Sequence, residues 1–104
     1  MYPLGYNKAV EIRQTEVYAR WFASLRDQQA RARINVRIRR LSLGNPGDVR
    51  PVREGVSEVR IDYGPGYRVY FVQRGQALVV LFAGGDKDTQ DRDIRTALDL
   101  AREL

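Results

Sequence analysis

Val56 to Gln90 reads VSEVRIDYGPGYRVYFVQRGQALVVLFAGGDKDTQ, and the alternation within it decides the fold. Val59, Ile61 and Tyr63 alternate with Glu58, Arg60 and Asp62, the pattern of a strand with one packed face and one wet face. The glycines of Gly64-Pro65-Gly66 tolerate the positive φ that a tight reversal demands, so the chain returns as Tyr67 to Val72. That hairpin brings Arg68 beside Arg60, with both side chains expected to point away from the core. Arg74-Gly75-Gln76 makes the next turn, and Ala77 to Ala83 is nearly all apolar, which suits a central strand covered on both faces.

Toward the N-terminus, Asn7 to Gln14 alternates and reads as a first strand. Thr15 is placed to cap a helix that starts at Glu16, with Val17, Trp21 and Leu25 on one face and Tyr18 and Phe22 widening the stripe. Asp27 caps a second helix, Gln28 to Leu43, whose inward stripe is Ile34, Ile38 and Leu41, and Gly44 stops it. Gly44 to Glu54, GNPGDVRPVRE, reads as a Gly/Pro loop. Beyond the hairpin strands, Asp88 or Thr89 begins a last helix with Asp91 and Asp93 in its first turn and Ile94, Ala97, Leu98, Ala101 and Leu104 on one face. The predicted order is β-α-α-β-β-β-α over residues 1–104, one α+β domain with its helices packed on one face of a mainly antiparallel sheet.

Composition narrows the chemistry. A chain of 104 residues supports one modest core. With no cysteine and no histidine, disulfides, thiolate nucleophiles, the usual zinc sites and imidazole acid–base catalysis are excluded. No metal or cofactor is expected, and any catalysis falls to Arg, Lys, Tyr or carboxylates. No segment reads as a membrane span, and Met1 to Gly5 has no signal-peptide pattern; a cytoplasmic protein without a membrane partner is expected. Residues 1–74 carry 14 of the 18 basic side chains and 7 of the 13 acidic ones, so the net charge of +5 belongs to the first three quarters. At about 100° per residue, Arg26, Arg33, Arg37 and Arg40 fall within a sector of roughly 60° on the second helix, a basic ridge facing solvent, RNA or an acidic partner.

The ordered segments TEVYARWFASLRD, ARARINVRIRRLSLGNPGDVRPVREGVSEVRI, GPGYRVYF and GGDKDTQ resemble the RelE/ParE superfamily of bacterial toxins, most closely its HigB-like addiction-module killer branch. The resemblance implies a RelE-like fold with the first strand beside the last. It also implies a toxin neutralised by a co-expressed antitoxin, commonly a helix-turn-helix protein. Members of that superfamily either cleave messenger RNA, usually on the ribosome, or inhibit DNA gyrase without chemistry.

Metal-independent RNA cleavage through the substrate's own 2′-hydroxyl needs a positioned, neutralised phosphate and proton transfer. Arg68, in the GYR motif, is the expected stabiliser of the crowded phosphate, with Lys87 of GGDKDTQ and Arg60 beside it as catalytic candidates. Gly84 and Gly85 are expected to permit close approach of backbone to the ligand. Arg50, Arg53 and Tyr67 are the expected RNA-binding residues, and Arg26, Arg33, Arg37 and Arg40 the antitoxin or RNA surface. Asp88 to Arg95 contains neither tyrosine nor histidine, which leaves Tyr63, Tyr67, Tyr70, Glu58 and Asp62 as candidate general bases. The expected function is therefore a ribosome-dependent messenger-RNA endonuclease, with a gyrase inhibitor as the alternative and a plain RNA-binding module as the third reading.

Overall fold

The computed structural model describes residues 10–104. The predicted strand at Asn7–Ala9 and the reading of Met1–Gly5 lie outside the described residues. The elements are β1 (Glu11–Gln14), α1 (Glu16–Ser24), α2 (Gln28–Ser42), β2 (Val49–Arg53), β3 (Val56–Ile61), β4 (Tyr67–Arg74), β5 (Leu78–Gly85) and α3 (Gln90–Arg102). A 3₁₀ turn at Lys87–Thr89 leads into α3. The sheet is five-stranded and mixed, in the order β1-β5-β4-β3-β2. β1 runs parallel to β5, whereas the three other pairings are antiparallel.

The capping chemistry acts where the sequence puts it. The Thr15 hydroxyl accepts the Tyr18 N–H at 3.1 Å and donates to the Phe82 carbonyl at 2.6 Å, so one side chain starts α1 and ties it to β5. Asp27 accepts from the N–H groups of Gln29 and Ala30 to start α2. In the β3–β4 reversal, Gly64 and Gly66 sit at φ 56° and 80°, where a side chain would be strained.

Two expectations are corrected. Gly44 to Glu54 is not all loop, since Val49–Arg53 forms the edge strand β2 against β3. Pro51 misled the reading because its missing N–H forbids a central strand, yet an edge strand tolerates it. The overlooked signal is Glu54-Gly55. Both residues have positive φ, 53° and 84°, and they close a two-residue hairpin between Arg53 and Val56.

The second correction concerns layers. α1 and α2 cover one face, where Ile34, Ile38 and Leu41 pack on Val59, Val69 and Val79. α3 covers the other, where Ala97 and Leu98 pack on Val56, Tyr70, Val80 and Phe82. Helices therefore lie on both faces and not on one. The apolar run in β5 requires this arrangement, since its alternate residues would otherwise face water. Among the described residues, no helix is long and apolar enough to cross a membrane.

Candidate functional site

The end of the β3–β4 hairpin, the start of β2 and the 3₁₀ turn enclose an open cleft of about 480 Å³. Arg50, Arg60, Arg68, Lys87 and Tyr67 line it, with Asp48 and Asp62 as its carboxylates. Residues distant in sequence meet there because Arg60 pairs with Arg68 across β3–β4 and Arg68 pairs with Gly85 across β4–β5, just before Lys87. Arg53 stands at the far end of β2 beside the Glu54–Gly55 turn and does not join them.

Arg68 is not the exposed side chain that alternation predicted. It is buried, at 9% exposure of its side chain against 34% for Arg60. α3 covers this end of β4, and Glu58 lies beneath the two arginines. The Glu58 Oε1 atom is 3.7 Å from Arg68 Nη1 and 3.9 Å from Arg60 Nε, while Oε2 accepts from Gln90 Nε2 at 3.2 Å. Arg68 Nε is buried with no hydrogen-bond partner. A buried guanidinium with an unused donor is costly unless something supplies an acceptor, and Arg68, although buried, still forms part of the cleft wall.

Lys87 is exposed on the cleft rim, and no ion pair joins it to Asp86 or Asp88 among the described residues. Asp86 is occupied elsewhere, accepting from the N–H groups of Asp88 and Thr89 while the Thr89 hydroxyl accepts from its own N–H. Gly84 and Gly85 do not serve ligand approach. The place of a Cβ on Gly84 is taken by the Trp21 ring, and that on Gly85 by Asp93 and Thr89. These glycines let α1 and α3 close on the end of β5.

The tyrosines separate as well. The Tyr70 hydroxyl is buried and unpartnered; burial, then the neighbouring Glu58 charge, pushes its pKa well up, which disqualifies it as a base. Tyr63 donates to Asp27 Oδ2 at 2.8 Å, and that hydrogen bond raises its pKa too. Tyr67 lines the cleft with its ring edge-on to Trp21, the centroids 6.3 Å apart. Asp62 is an exposed cleft carboxylate.

The basic ridge is less uniform than its helical spacing predicted. Arg37 is half-buried and donates to the carbonyls of Arg60 at 2.6 Å, Pro46 at 2.9 Å and Asp48 at 3.2 Å. It pins the approach to β2 against β3, so it is a structural clamp and not a free surface charge. Arg33 stacks over the Tyr63 ring, 4.6 Å from its centroid. Arg40 is exposed beside a groove of about 500 Å³ that also includes Val36 and Arg33. Arg26 is exposed in the α1–α2 connection, not on α2. Sequence reading missed the clamp because periodicity tells which way a side chain points but not which carbonyls it meets.

Comparison with known proteins corrects the resemblance. The model of the family described as "Phage derived protein Gp49-like (DUF891)" matches residues 20–104. A Haemophilus influenzae protein described as uncharacterized is 47% identical over 95 residues, covering 91% of this chain and 96% of that protein. The matching family is a different one from the RelE/ParE superfamily with its HigB-like branch. The segments that carried the resemblance encode strand alternation, a glycine hairpin and a capped helix, features that physical chemistry imposes on chains of more than one family.

Proposed function

This chain belongs to the Gp49-like family of phage-derived proteins, often toxins of toxin–antitoxin systems, and from that premise we propose that it is a toxin that cleaves messenger RNA. The observation that carries the reading is the cleft, where three arginines and a lysine converge beside Tyr67 and the buried Arg68 Nε lacks an acceptor. A phosphodiester supplies several acceptors and the matching charge, and an arginine fork suits its oxygens.

In this reading Arg68 and Arg60 grip the non-bridging oxygens of one phosphate while Lys87 neutralises charge from the opposite rim. The adjoining 2′-oxygen attacks phosphorus and the bond to the 5′-oxygen breaks, leaving a 2′,3′-cyclic phosphate and a 5′-hydroxyl. One proton leaves the 2′-hydroxyl and one reaches the departing 5′-oxygen. Asp62 is our assignment for the first transfer, because Tyr63 and Tyr70 are held protonated. Tyr67 stacks on a base, and Arg50 holds a neighbouring phosphate. Catalysis then rests on positioning and charge, without a metal or cofactor.

The ribosome presents the message, so the protein acts in the cytoplasm. A co-expressed antitoxin, a helix-turn-helix protein, docks on the exposed arginines Arg26, Arg33 and Arg40 and slows access to RNA. Charge steers that encounter, so its association rate falls as salt rises. Primer-extension mapping of RNA ends after brief induction tests the main claim. Sharp new ends inside translated frames are expected. Their absence, together with DNA breaks and relaxed plasmid, would replace the nuclease with a gyrase inhibitor.

A further inference from the structure

Arg60 and Arg68 face each other across the β3–β4 pair. Like charges directly opposite on neighbouring strands repel and drive the side chains apart. Here they converge on one cleft, and Glu58 is the group that lets them do so. Its Oε1 atom lies within 4 Å of both guanidinium groups, too far for a strong hydrogen bond to either but close enough to neutralise both. The other oxygen is tied to Gln90 on the first residue of α3, so the carboxylate cannot swing into the cleft. It is 5% exposed and absent from the residues lining the cleft.

We propose that Glu58 is the positioning residue of the cleft, a buried carboxylate that holds Arg60 and Arg68 side by side and is outbid for them by an incoming phosphate. The two arginines are stored with their charge balanced and their donors mostly unspent. Gln90 makes α3 the backstop of the arrangement. A phosphate entering the cleft displaces no side-chain hydrogen bond of Arg60 or Arg68 seen among the described residues, and it meets two guanidinium groups already held side by side. Glu58 works against binding, because it competes for the same cations, and in favour of reaction, because it sets where they stand.

These opposed effects define a test, using a short single-stranded oligoribonucleotide for binding and programmed ribosomes for cleavage. Glu58→Gln removes the competing charge and should tighten oligoribonucleotide binding roughly fivefold. The same change should slow cleavage about 100-fold, the scale of loss from an ångström of misplacement. Glu58→Asp keeps the charge but draws it back from both arginines. It should show a smaller gain in binding with a similar loss of cleavage, and it decides the matter if Glu58→Gln does not fold. A merely structural glutamate would lose binding and rate together. Unchanged or weaker binding in the folded variants, or a wild-type cleavage rate, overturns the proposal. The cleavage arm rests on the RNA-cleaving reading and the binding arm does not. If the wild-type protein cuts nothing while the variants bind more tightly, the nuclease reading fails and the role of Glu58 in restraining the arginines stands.

Discussion

On the α1–α2 face of the sheet, Ile34, Val59, Val69 and Val79 are fully excluded from water, and the buried cluster around them is aliphatic and aromatic. On the α3 face, Glu58 of β3, Arg68 of β4 and Asp93 of α3 are buried, as are Phe82 and Leu98. Hydrocarbon packing stabilises by area and shape, and it tolerates any neighbour of the right size. Buried charge stabilises little and punishes every missing partner. The first face is thus where the domain gains its stability, and the second is where it accepts a cost in order to hold arginines in a cleft.

Single substitutions on the two faces should break this contrast most clearly. Ile34→Ala leaves a cavity among close-packed side chains and should cost about 2–5 kcal/mol, measured by urea unfolding, while the folded fraction binds RNA as before. Arg68→Ala takes the nearer of two cations from the buried Glu58 carboxylate, leaving it Arg60 and the Gln90 amide, and should cost about 3 kcal/mol, with oligoribonucleotide affinity and cleavage falling as well. Arg68→Lys should recover much of the stability but little of the cleavage, since a point charge cannot reproduce the fork. Full stability in Arg68→Ala would mean that the α3 face carries no dependent charge pair.

Adjacent glycines at the end of β5 offer a finer comparison, because Gly84 abuts α1 and Gly85 abuts the start of α3. Adding one methyl to either should cost roughly 1–3 kcal/mol by overpacking. Gly84→Ala pushes on Trp21, the only tryptophan, so its fluorescence should shift. Gly85→Ala pushes on Asp93 and the 2.5 Å hydrogen bond it accepts from Thr89, and should leave the fluorescence alone. Equal spectral changes in both would show that the two faces are mechanically coupled there.

The residues that sequence reading placed well are those whose neighbours are fixed by period or by a turn. Arg60 and Arg68 had to meet across the hairpin, and Lys87 had to follow the central strand, so most of the cleft was legible. Burial of Arg68 was not, because it depends on which face α3 chooses, and an amphipathic helix with Ala97 and Leu98 on one side fits either face. β2 was hidden by Pro51, although Glu54-Gly55 marked its hairpin. Arg37 looked like its neighbours on the helix surface, because three carbonyls gathered from 46, 48 and 60 leave no trace in local pattern. The family was misjudged for a related reason: strand alternation and glycine turns report the frame, not descent.

Lys87 tests function with little cost in stability. It is exposed and unpaired with the flanking aspartates among the described residues, so Lys87→Ala should move the unfolding free energy by less than about 0.5 kcal/mol. If the ammonium contacts the reacting phosphate, single-turnover cleavage on programmed ribosomes should fall more than binding does. Parallel losses would make it part of the general electrostatic surface.

The smallest expected effect lies at the wet rim, where Tyr63 and Asp27 form a polar contact that water can reach. The hydrogen bond from Tyr63, then that from the Ala30 N–H, holds the Asp27 carboxyl below its ordinary value of 3.8. A pKa lowered by folding gives stability that is present above 3.8 and lost as pH falls through the folded value. Tyr63 shifts the opposite way, raised above its ordinary 10.0 chiefly by the same hydrogen bond. Its contribution is intact below 10.0 and lost as pH rises through the folded value. Tyr63→Phe keeps the ring under Arg33 but deletes the shared bond. The stability gap between wild type and Tyr63→Phe should therefore be flat between about pH 5 and pH 9 and narrow toward both extremes. Urea midpoints taken across that range check it. A gap that stays constant into acid and alkali would show that neither group senses the other.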